Sequence, residues 1–313
     1  MIFTPKFPIF DKSSSYSLKG IAIICVILHH CYQHSVSKMN MPNFCPPIGA
    51  ELGSYAVALF FILSGYGMFL SMRKNTMNRQ YIVSHLMKLY IPFVVMYLLR
   101  LVSFLCLGVM EWSFNCIPEF LILHFPLGEN WFMKVIVGAY ILSFLILKYI
   151  KNDYVAILVM FALSALYFNI APHFRLGGYW FYTSFNFAFG MLLAKSKETL
   201  QTYSISTLLC LSIIFFAFFI NRNLVVCGSL ISLIAIIAVQ YINIKNAVFD
   251  YMGHNSWLFY LSHGIFLYIY PSVISDNWKF YPLFVFGGSA IVVFCYNHIA
   301  NSITKLSNHT TRQ

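Results

Sequence analysis

The sequence predicts an all-α membrane protein of about ten transmembrane helices with both termini cytoplasmic. Three observations predict it. The 313 residues are 60% hydrophobic and 9% charged, with mean hydropathy +0.74, whereas soluble domains carry roughly 25% charged residues. Apolar runs of ~20 residues, the length of a membrane-spanning helix, recur along the chain. The Lys and Arg residues also divide unequally between alternate connecting segments. With the N-terminus cytoplasmic, 14 of them fall on the inner side and 6 outside or within spans. The positive-inside rule then favours inward termini and an even number of spans.

In order, the runs lie near 17–34, 51–71, 82–107, 131–149, 154–170, 180–194, 203–220, 224–242, 256–275 and 280–302. The first is read as retained, because it ends in His-His-Cys-Tyr-Gln-His and lacks a small-residue cleavage site. Asn221-Arg222-Asn223 fits a tight helical hairpin. There is no repeat, heptad or linker, so residues 1–313 read as one transmembrane domain in the lipid bilayer. A net charge of +11 could suggest nucleic acid, but the basic residues sit in short loops, which argues against it. The eight cysteines show no CxxC and no metal-like spacing. Cys45 and Cys116 both fall in outward loops, where an oxidising compartment would permit a disulfide.

Several polar residues need an explanation. Lys19 and His30 share one apolar run, SLKGIAIICVILHHCY. Eleven positions put them on one helix face, ~16 Å apart along the axis. Ionisable groups in a membrane helix are costly and functional candidates by default. His30 is a candidate general base, since imidazole takes up protons near neutral pH; alternatively it is an interfacial histidine bonded to a neighbour. His29 points ~100° away and reads as support. Ser64-Gly65 either packs helices closely or serves the substrate. Arg73, Lys74, Arg79, His85 and Lys88 cluster at the cytoplasmic side, where a topology signal accounts well for Arg73 and Lys74. His85 and Lys88 share a face three positions apart and suit a phosphate-bearing ligand. Glu129 could accept hydrogen bonds from a hydroxylated substrate, and Trp131 fits an interfacial belt or a substrate contact. His263 is a second intramembrane histidine, read as a core residue or as site support.

Together these segments resemble the acyltransferase-3 family of multi-pass membrane O-acyltransferases. The resemblance rests on Leu18-Lys19-Gly20-Ile21-Ala22 through His30, Phe60-Phe61-Ile62-Leu63-Ser64-Gly65-Tyr66, His85-x-x-Lys88 before Pro92, Trp131-Phe132, and Ser256 through Tyr260-Leu261-Ser262-His263. The ordered set spans nearly the whole chain. Three positions depart from the usual pattern: Lys19 stands where Arg is frequent, Ala58 where an acidic residue is frequent, and His85 where a second basic residue is common.

The resemblance implies transfer of an acyl group, by default acetyl, from cytoplasmic acyl-CoA to a hydroxyl of an envelope or exopolysaccharide sugar. The acceptor is then a glycan or lipid-linked sugar, and the setting the bacterial cytoplasmic (inner) membrane. The carry-over makes His30 catalytic and puts Lys19, His85 and Lys88 on the donor, and Arg73 and Arg79 at the same mouth are read as donor-binding with them. Ser64, Gly65, Glu129, Trp131 and His263 support substrate or structure. No permanently bound cofactor and no metal are expected, because a thioester needs only a base, oxyanion donors and alignment. A transporter or exporter of a sugar or small carboxylate is the alternative. It would not need CoA, and the inverted repeats common in transporters are not seen.

Overall fold

The computed structural model describes residues 8, 11–75, 78–114, 120–121, 131–220 and 223–310. The expectations for Glu129 and for a Cys45–Cys116 pair lie outside the described residues. All regular structure among them is helical: α1 (Lys12–Lys38), α2 (Pro46–Ala50), α3 (Leu52–Lys74), α4 (Arg79–Cys106), α5 (Trp131–Tyr149), α6 (Asp153–Ile170), α7 (Phe185–Lys195), α8 (Lys197–Thr202), α9 (Ser204–Ile220), α10 (Leu224–Ala238), α11 (Ala247–His254), α12 (Ser256–Ile269) and α13 (Tyr281–Thr310).

The helices begin where the sequence supplies caps. Asp11 accepts from the Ser14 amide at 3.3 Å, Asn78 from Tyr81 at 2.8 Å, Asn152 from Tyr154 at 3.0 Å and Asn246 from Val248 at 2.8 Å. Each satisfies an amide that has no partner within its own helix. Asp11 also pairs with Lys245 at 3.0 Å, and that hydrogen bond holds its carboxyl below the usual carboxylate range.

Seven described helices are long and apolar enough to cross a membrane; α9 and the segment Val226–Ala238 are shorter apolar helices. Of the ten expected spans, 180–194 departs furthest. Two short 3-10 turns, Ala171–Phe174 and Gly178–Trp180, precede a helix of only 11 residues. That helix rises ~16 Å, about half the ~30 Å hydrocarbon core. The run expected at 256–275 is helical to Ile269 and closes in a π turn, Tyr270–Ile274, containing Pro271.

Helices α1, α3 and α12 occupy the centre. Helix α3 packs on α1, α7, α10 and α5, and α12 packs on α1, α4 and α13, while α9 leans chiefly on α10. Reciprocal glycine notches set the two closest approaches. A Cβ on Gly65 would overlap the Phe187 carbonyl and one on Gly190 the Ile62 carbonyl, joining α3 to α7. Gly20 meets the Phe249 carbonyl and Gly253 the Tyr16 carbonyl, joining α1 to α11. Small residues let helix backbones approach closely where lipid offers no hydrophobic drive. The outer faces remain apolar, with Ile213 70% and Leu283 73% exposed, as suits contact with lipid tails.

Candidate active site

The helical period brings Val26, His30, Gln33, His34 and Ser37 of α1 to one wall of a cavity of ~670 Å³. Tyr260, His263, Gly264, Leu267 and Tyr268 of α12 form the facing wall. Gly53, Ser54 and Val57 of α3, Arg100 of α4, Trp131 of α5 and the segment from Gly178 to Thr183 complete it.

His30 and His263 meet here, their rings stacked 5.3 Å apart at 26°. His29 lies 5.1 Å from His30, edge on at 64°. Hydrogen bonds fix the tautomers around this pair. Nδ1 of His263 lies 2.6 Å from the Tyr260 carbonyl, and Nδ1 of His29 lies 2.9 Å from the Ile48 carbonyl. A carbonyl only accepts, so Nδ1 carries the proton in both rings and Nε2 keeps its lone pair. His34 follows the same logic one step removed. Tyr281 donates its single hydroxyl proton to the Leu267 carbonyl at 2.8 Å, so its oxygen accepts from His34 Nδ1 at 3.0 Å. Gln33 hydrogen-bonds His30 and donates to the Gly49 carbonyl at 2.7 Å, tying the cavity wall to the α2–α3 corner.

Other expected site residues lie elsewhere. The α1 wall of the cavity starts at Val26, so Lys19 is outside it, two turns nearer the helix start. There its ammonium sits 5.9 Å from the Tyr16 ring, which stacks on His254 at 3.5 Å. Ser17 and Ser13 donate to Asp250 beside it. His85 folds onto its own helix, with Nδ1 2.9 Å from the Tyr81 carbonyl, and Lys88 and Arg79 are exposed. Ser64 hydrogen-bonds Tyr140, and Gly65 forms the α3–α7 notch. Trp131 joins the cavity wall and meets Tyr179 at 5.7 Å.

Arg73 has a structural engagement. Nε donates to Asp153 at 2.8 Å, and its terminal nitrogens donate to the Leu147 carbonyl at 3.1 Å and the Ile150 carbonyl at 3.2 Å. Lys195 also reaches Asp153 at 2.8 Å. This clamp closes the α5–α6 corner and ties α3 and α7 to it. Charged hydrogen bonds contribute ~1.5–3 kcal/mol when shielded, but these side chains are about one-fifth exposed, and solvent screening brings the expectation for Arg73→Ala to about 1 kcal/mol of destabilisation. A lowered melting temperature in detergent, reproduced by Asp153→Ala, checks it.

Three residues at the site were not singled out from the sequence: His34 and Arg100 of the cavity wall, and Tyr281, which holds His34 from behind. Arg100 is 4% exposed, its guanidinium 5.1 Å from the ring centroids of both Phe104 and Tyr268. Its signal was available, since an arginine within the 82–107 run falls under the same rule that singled out Lys19. His34 lies four positions after His30, on the same face. Tyr281 carried no signal of its own.

The fold and cavity define a multi-pass membrane protein with paired histidines buried inside its helix bundle. The profile of the acyltransferase-3 family, described as an acyltransferase domain, matches residues 17–298. The chain belongs to that family and is a membrane acyltransferase. Comparison with curated proteins and with solved structures gives no significant match.

Proposed function

We propose that the protein transfers an acetyl group from cytoplasmic acetyl-CoA to a hydroxyl of an envelope or exopolysaccharide sugar, with His30 as the base. The observation that carries this reading is the His30–His263 stack in the wall of a ~670 Å³ cavity. In the proposed topology ten segments cross a bacterial inner membrane, the sixth as the 3-10 turn Gly178–Trp180 leading into the short helix α7, and both termini are cytoplasmic. The part of the wall made by Trp131, Tyr179 and Tyr182 then lies toward the outer side, and its aromatic faces suit the C–H faces of a sugar ring.

The acceptor oxygen attacks the thioester carbonyl while an imidazole nitrogen of His30 takes the hydroxyl proton. The tetrahedral intermediate collapses by breaking the C–S bond, and the proton passes to the departing CoA sulfur. The products are a sugar ester and free CoA thiol. His263, held in one tautomer, keeps the His30 ring in place. Lys19, ~16 Å back along α1, holds a CoA phosphate at the inner mouth, at a distance that an extended pantetheine arm can bridge. His85, Lys88 and Arg79 on α4 offer further positive charge on that side, and this reading leaves Arg73, bonded to Asp153 and two carbonyls, to the helix clamp.

The test is transfer of radiolabelled acetyl from acetyl-CoA to a host envelope-glycan extract in membranes containing the protein. Label in an alkali-labile glycan ester is expected. Absence of both label and acetyl-CoA binding would instead favour a transporter. A charge-assisted hydrogen bond is worth at least ~1.5 kcal/mol, so Lys19→Met should raise the KM for acetyl-CoA about 10-fold with kcat at saturating donor little changed.

A further inference from the structure

A second cavity of ~240 Å³ lies between α5 and α6, next to the histidine cavity. It is graded in polarity. Lys134, Tyr167, Trp180 and Ser184 line one end, and Leu142 and Met160 line the other, ~12 Å away along α5. Ser184 lines this cavity and is 8% exposed, and its hydroxyl is buried without a hydrogen-bond partner. The Lys134 ammonium sits 5.5 Å from the Trp180 ring. Leu142 is 40% exposed, so the apolar end reaches the outer surface of the helix bundle.

The two cavities share a partition. Trp131 and Lys134, one turn apart on α5, face the first and the second cavity respectively. Tyr179 and Trp180 divide in the same way, as do Thr183 and Ser184. A head group beside Lys134 would therefore lie one helical turn from the wall of the histidine cavity.

We infer that this second cavity holds the phosphate and the first chain units of a lipid-linked sugar, whose sugar enters the histidine cavity. Resting on the acetyltransferase reading above, it narrows the acceptor to one delivered on a lipid phosphate. Lys134 supplies the charge for the phosphate and Ser184 a hydroxyl donor. At roughly 30 Å³ per water-sized group, the volume suits about eight such groups, a segment of one chain. Gly138 lines the slot with open space where a Cβ would stand, so Gly138→Leu fills it without a backbone clash.

The experiment is a native mass spectrometry titration of the detergent-purified protein with farnesyl phosphate, farnesol and phosphatidylglycerol. Farnesyl phosphate should bind about 10-fold more tightly than farnesol. Both Lys134→Gln and Gly138→Leu should weaken it by a similar factor, with melting temperatures near wild type. Equal binding of farnesol, or no effect of Lys134→Gln, overturns the proposal. So does displacement by equimolar phosphatidylglycerol, which would make the slot a site for bilayer phospholipid. Weakening by Lys134→Gln but not by Gly138→Leu overturns it as well, because the phosphate would then bind outside the slot. If Gly138→Leu fails to fold, the three-ligand comparison on wild type decides alone. Binding is read without any acyl transfer, so failure of the acetyltransferase reading appears separately, as farnesyl phosphate binding without sugar acetylation.

Discussion

Acetyl transfer by His30→Ala should fall about 10²–10⁴-fold, the contribution of one positioned base, with expression and acetyl-CoA binding retained. The expectation follows from where the ring stands. It lines the cavity, stacks on His263 and lies on the α1 face that carries Lys19 toward the other end. Loss of the base should lower kcat and kcat/KM together, since the proton transfer it assists belongs to the transition state. His263→Ala should give a smaller loss, because the role proposed for His263 is to hold the ring of His30, on which it stacks. His263→Asn keeps a side-chain amide near the Tyr260 carbonyl and should recover part of that loss. Full activity of His30→Ala at normal expression would remove His30 from the mechanism.

The largest structural effect is expected at Gly190. Its position against the Ile62 carbonyl, matched by Gly65 against the Phe187 carbonyl, leaves no room for a side chain between α3 and α7. Overpacking typically costs 1–3 kcal/mol when neighbouring side chains can adjust. Here the obstacle is backbone on both sides, so Gly190→Leu should cost about 3 kcal/mol or more. Loss of the monodisperse detergent-extracted form, or a large drop in melting temperature, would report it. Gly138→Leu makes the natural control, being a glycine in a helix with open space beside it. Equal behaviour of the two variants would discount the notch as the cause.

Much of the architecture was legible in the sequence because hydropathy is local. The long apolar runs became helices, and Asn78, Asn152 and Asn246 start theirs as capping residues do. The run at 180–194 misled because aromatic 3-10 turns at Gly178–Trp180 are as apolar as a helix. In the site, helical periodicity set His30 apart from His29, although both rings line the cavity. It could not pair His30 with His263, because that meeting depends on how α12 packs against α1. The bonds of Arg73 were hidden for a related reason. A basic residue after an apolar run looks the same in sequence whether it faces solvent, a ligand or the carbonyls of another helix.

The seam between α1 and α11 also sets a timetable for synthesis. Ser13 and Asp250, which bond across it, are 237 residues apart. At ~5–20 residues per second, roughly 10–50 s separate their translation. For that interval α1 lacks the helices that later cover Ser17, Lys19, His30 and His34, and its polar face must wait in or near the bilayer. Assembly of the histidine-lined cavity is therefore among the last events in the biogenesis of this chain.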